Sequence, residues 1–110
     1  MRSSMNFFGE GEVRMDFVEI WIDGPIPVDR DDLEDALNEA LAGIGEVVGA
    51  GTSAQGSNLD VEVDESSDRG FVLGKIFGVM NSLAVGDSVS VRPGDGDLWI
   101  RPSEWGDPRV

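Results

Sequence analysis

Carboxylates are the groups capable of chemistry that this sequence holds in quantity: 22 Asp and Glu among 110 residues, against eight Lys and Arg. Histidine, cysteine and tyrosine are all absent. The commonest general base, the thiolate nucleophile and the Cys/His zinc sites are therefore excluded. Ser66, Ser67 and Ser103 have no histidine to activate them. Lys75 is the sole lysine, and burial could turn such an amine into a catalytic base. It falls between Val72 and Val79 on a predicted helix, where its stem would run along apolar surface to water. Acid pairs arise by chance at this density, so carboxylate spacing alone points to no active site. The expectation is a non-enzymatic protein.

Phosphate and metal motifs fail on their details. In Gly70 to Lys75 the spacing to Gly74-Lys75 is one residue short of a P-loop, and Ile76 stands where Ser or Thr would bind magnesium. Gly43-Ile44-Gly45 with Gly49 leaves a helix and enters a strand, the reverse of a dinucleotide fingerprint. Asp95-Gly96-Asp97 and Asp60 to Asp64 space oxygen ligands two apart, but neither has the Gly and closing Glu of an EF-hand. No cofactor and no metal are expected.

The elements that would position the polar groups are legible from periodicity. Val13 to Asp23 reads as a first strand that changes phase near Phe17, as a β-bulge there, or cover on both faces of the strand, would make it do. Gly24-Pro25-Ile26-Pro27 ends it. Asp29 can cap a first helix whose stripe is Leu33, Ala36, Leu37, Ala40, Leu41 and Ile44. Glu46 to Thr52 and Asn58 to Asp64 read as a hairpin around a turn at Ser53 to Ser57. In its second arm Leu59, Val61 and Val63 alternate with Asp60, Glu62 and Asp64. Ser66, Ser67 or Asp68 can cap a second helix to about Leu83, with Val72, Leu73, Ile76, Phe77, Met80 and Leu83 as its stripe. Gly70, Gly74 and Gly78 recur on one side of it, which implies a close backbone approach there. Ser88 to Arg92 and Leu98 to Arg101 read as a last hairpin, with Val89, Val91, Leu98 and Ile100 inward. Residues 1–110 make a single domain: an N-terminal arm (1–12), a core (13–101) and an irregular tail (102–110) that Trp105 could pin. The fold class is α+β, a ferredoxin-like two-layer sandwich. Its antiparallel sheet is βαββαβ plus an extra C-terminal strand, with two helices on one face.

That arrangement leaves the other sheet face with Glu19, Trp21, Asp60, Glu62, Asp64, Arg92, Trp99 and Arg101. Trp and Arg beside acidic residues are favoured at binding hot spots. The plain alternative is that the tail or the Phe7-Phe8 segment folds over those rings, or that a homodimer buries them. A secondary acidic surface, Asp31, Glu34, Asp35 and Glu39 with Asn38, lies along the first helix and also reads as a solvated face with favourable N-terminal charge.

The net charge of −14 argues against nucleic acid and anionic membranes as partners. No stretch approaches the ~20 apolar residues of a membrane span, and the apolar content near the N-terminus is too short for a secretory signal. The expectation is a cytoplasmic protein whose partner has a basic surface. The foremost reading is an immunity protein or antitoxin-like inhibitor, its carboxylates occupying the basic cleft of an effector such as a nuclease toxin. The alternative is a structural or regulatory subunit that self-associates through the open face, its acidity reflecting a high-salt cytoplasm.

Overall fold

Alternation decides which side of the sheet is dry. The computed structural model describes residues 16–94 and 96–106. In β1 (Phe17–Ile22), Val18, Ile20 and Ile22 are buried while Phe17, Glu19 and Trp21 look the other way. β1 is central, antiparallel to β3 (Gly56–Val63) on one side and to β4 (Val89–Pro93) on the other. β2 (Gly45–Ser53) pairs outside β3, so the order is β2-β3-β1-β4. Helices α1 (Arg30–Ala40) and α2 (Arg69–Ser82) follow β1 and β3, giving the βαββαβ sequence of a ferredoxin-like two-layer sandwich. Leu33, Leu37 and Leu41 from α1 and its end, and Val72, Leu73, Ile76, Phe77 and Met80 from α2, join the inward residues of β1, β3 and β4 in one core. No described helix is long and apolar enough to cross a membrane.

Local chemistry accounts for the boundaries. Asp29 is the N-cap residue of α1, and Asp31 and Asp32 put negative charge in its first turn, where the helix dipole favours it. Asp68 caps α2, its carboxylate accepting from the Phe71 N–H at 2.9 Å. The β2–β3 turn is tight, with Ser53 opposite Gly56. Gly56 takes φ +150°, and a side chain there would strike the Ile22 carbonyl and the Trp21 ring, so only glycine lets the hairpin pass the end of β1.

Several expectations are corrected. The register of β1 from Phe17 to Ile22 is unbroken, and the irregularity lies in β2, between Val47 and Gly49, where Val48 is turned out to 57% exposure. The extra C-terminal strand shrinks to one bridge, Val91 with Ile100. Gly96 N–H bonds the Pro93 carbonyl and Arg92 Nη1 bonds the Gly96 carbonyl, a turn that returns only Ile100 to the ladder. Leu98 is consequently exposed rather than inward. No close backbone approach meets the α2 glycines, since a Cβ at Gly74 or Gly78 would find nothing within 4 Å. The tail contains a short 3-10 turn, Pro102–Glu104, and Trp105 stacks on Phe77 of α2 at 4.9 Å, on the helical side of the sandwich. Residues 1–15, including Phe7, Phe8 and the start of the first predicted strand, lie outside the described residues, as do Asp95 and 107–110.

Candidate functional site

The uncovered face of the sheet divides into two halves of different character. On the β1–β4 side, Glu19 stands opposite Arg92 and Trp21 opposite Ser90. Arg92 Nη2 reaches Glu19 Oε1 at 2.6 Å, and its guanidinium carbon lies 5.5 Å from the Trp99 ring centroid. Trp99, delivered by the returning segment beside β4, is 40% exposed. Arg101 bonds the Asp87 carbonyl and pairs with Asp23 Oδ2 at 3.3 Å. Both arginines are thus neutralised within the molecule, and Glu19, Trp21, Asp23, Ser90, Trp99 and Arg101 line an open depression of about 470 Å³.

On the β2–β3 side the described residues do not balance their charges in this way. Asp60 faces Glu19 across one ladder and Gly49 across the other. Glu62 stands directly opposite Glu46, a like-charge pair that costs stability in an antiparallel sheet. Gly49 and Gly51 carry no side chains over this half, so Asp60 and Asn58 stay uncovered at their β2 flank; a Cβ at Gly49 would sit 3.2 Å from the Asp60 carboxylate. Among the described residues, no lysine or arginine bonds Asp60, Glu62 or Glu46.

No family model, curated protein or solved structure matches the chain.

The predicted residues therefore separate. Glu19, Trp21, Arg92, Trp99 and Arg101 gather on one half of the open face, and Asp60 and Glu62 adjoin them on the other. Asp64 does not join. It lies past the end of β3, where its carboxylate accepts from the Ser66 N–H at 2.9 Å and the Ser66 hydroxyl at 2.8 Å. Those bonds, the backbone one first, hold its carboxyl below the usual carboxylate range. On α1, Asp31, Asp35 and Glu39 are exposed, while Glu34 pairs with Arg30 at 3.5 Å. Within the described residues, no cluster of three or more acidic groups is arranged to hold a metal ion.

Three positions carry weight that sequence reasoning missed. Asn38, read only as part of an acidic helix surface, accepts the Val47 N–H at 2.7 Å and anchors edge strand β2. Ser103 donates both its hydroxyl, at 2.6 Å, and its N–H, at 3.0 Å, to Asp87. These bonds, with Arg101 nearby, lower the Asp87 carboxyl below the usual range and fasten the tail beside Arg101. Ser90 is 5% exposed at the cavity on the open face. An Asn on a helix or a Ser in a strand has no local pattern that marks such a role.

Proposed function

We propose that this chain is a non-enzymatic inhibitor of the immunity or antitoxin kind, acting in the cytoplasm, whose open sheet face docks onto a basic surface of an effector protein. The observation that carries this reading is the face itself: an exposed Trp99 and partly exposed Trp21, Arg92 and Arg101 on the β1–β4 half, next to carboxylates that, among the described residues, have no cationic partner on the β2–β3 half. Half-exposed Trp packed beside Arg supplies the desolvating anchor that interface hot spots use. The acidic half, with a net charge of −14 behind it, supplies steering and register toward a cationic cleft. Trp105, stacked on Phe77 of α2 on the helical side, does not cover this face. The carboxylates would stand where an effector otherwise holds substrate phosphates.

The test is capture from a native lysate at low salt, run in parallel with wild type, Trp21→Ala, Trp99→Ala and the Asp60→Lys/Glu62→Lys pair. The reading expects a basic protein retained by wild type, lost from each variant, eluted by salt and inactive while bound. A captured protein held equally by all variants would refute docking through this face. A homodimer that dissociates in the Trp variants would favour the self-associating subunit instead.

A further inference from the structure

The cavity on the open face contains an unusual group. Ser90 lines it and is only 5% exposed, yet among the described residues no hydrogen bond reaches its hydroxyl. The Ser90 Oγ is not sealed from solvent but opens onto this depression, a position where a ligand atom can take up its hydrogen bond. Each carboxylate beside it, although paired with an arginine, keeps one oxygen open. Glu19 uses Oε1 for Arg92 and Asp23 uses Oδ2 for Arg101, leaving Glu19 Oε2 and Asp23 Oδ1 without a bond among the described residues. The nearby guanidinium groups are occupied, Arg92 by Glu19 and the Gly96 carbonyl, Arg101 by Asp23 and the Asp87 carbonyl. An anionic ligand would have to break those pairs, whereas a cationic donor would find open acceptors and the indoles of Trp21 and Trp99.

We propose that this cavity receives an arginine side chain of the partner protein, its guanidinium stacked against the indoles of Trp21 and Trp99 and donating to Ser90 Oγ and the carboxylates of Glu19 and Asp23. The molecule already holds one guanidinium by the same combination: Arg92 lies over Trp99 while Nη2 bonds a carboxylate. A planar group with five donors suits several acceptors around a flat ring better than a compact ammonium does. The depression, about 470 Å³ and open to solvent, has room for one planar side-chain group laid against the rings. The assignment rests on reading the face as the docking surface for a basic protein.

The experiment titrates Nα-acetyl-arginine methylamide into the isotopically labelled protein at constant ionic strength and follows the three indole N–H resonances. The Trp21 and Trp99 signals are expected to move saturably while Trp105, stacked on Phe77, stays still. Ser90→Ala, which removes no intramolecular bond, should weaken the probe about threefold to tenfold, the value of one hydrogen bond. Nα-acetyl-lysine methylamide should bind less tightly, and the glutamate analogue should not shift the two signals. Movement of Trp21 and Trp99 no greater than that of Trp105, equal response to the glutamate or lysine analogue, or an unchanged affinity in Ser90→Ala would overturn the proposal. If the probe fails while Trp21→Ala and Trp99→Ala still release a captured partner, the face docks without this pocket. If the probe binds while those variants retain the partner, docking through the face fails and the cavity's own chemistry stands.

Discussion

Adjacent residues Trp99 and Ile100 should respond to truncation with losses of very different size, because one belongs to the open face and the other to the core. Ile100 is 2% exposed and forms the bridge to Val91. Its replacement by Ala should cost about 2–5 kcal/mol through lost burial and a residual cavity. Trp99 is 40% exposed, and its one described ring contact is with Arg92, 5.5 Å from the centroid, an interaction of roughly 0.5–1 kcal/mol at such a site. Arg92 keeps its bond to Glu19 when the ring is gone, so no charge is stranded. Trp99→Ala, which also gives up the covered part of the ring, should therefore cost about 1–2 kcal/mol. With a urea slope of about 1.5–2 kcal/mol/M for a domain this size, the midpoint should fall by roughly 0.5–1 M for Trp99→Ala and by about 1–3 M for Ile100→Ala. Urea unfolding followed by circular dichroism measures both. Equal losses would show that Trp99 is part of what holds the fold together and that the face is not a free surface.

Other consequences are as specific. Gly74→Ala and Gly78→Ala, whose new Cβ atoms meet nothing within 4 Å, should each stabilise the protein by roughly 0.5–1 kcal/mol, read as a rise in Tm; destabilisation would place something over that helix face. Asn38→Ala should leave the Val47 N–H without its acceptor, lowering stability by about 0.5–1.5 kcal/mol and speeding hydrogen exchange at Val47 selectively. Asp87 has its folded-state pKa depressed by Ser103, so its contribution is present above the unfolded carboxylate pKa and is lost as pH falls through the lower folded value. Ser103→Ala should thus reduce stability at neutral pH and remove part of the loss seen on acidification below about pH 4. Parallel acid denaturation curves of equal steepness would contradict that role.

The sheet and helices were legible because each element's apolar residues keep its own period: Leu33 and Leu37 in α1 with Leu41 at its C-cap, Leu59, Val61 and Val63 in β3. Where periodicity is silent, topology decides. Val47 and Val48 are adjacent and the sequence assigns neither to a face; the pairing of β2 with β3 turns Val48 outward. Leu98 and Ile100 have the parity of one strand face, yet the turn after Pro93 brings one of them to β4 and exposes the other. The glycine spacing in α2 implied a neighbouring backbone, but spacing cannot report whether a neighbour comes. For the site, the residue types were visible and their partners were not. Glu19 and Arg92 are 73 residues apart, and Asp23 and Arg101 are 78 apart, so their pairing is a product of topology. Asp64 shares the alternation of Asp60 and Glu62, but strand β3 ends before it and its carboxylate turns back to Ser66.

The most direct measurement is calorimetric titration of a captured effector with wild type, Trp99→Ala and Glu62→Lys over a series of salt concentrations. Affinity should fall steadily as salt rises, and each variant should lose at least about 2 kcal/mol of binding while keeping its fold, the loss expected of a hot spot. Binding that is insensitive to salt, or variants that bind as wild type does, would contradict docking of a basic protein on this face.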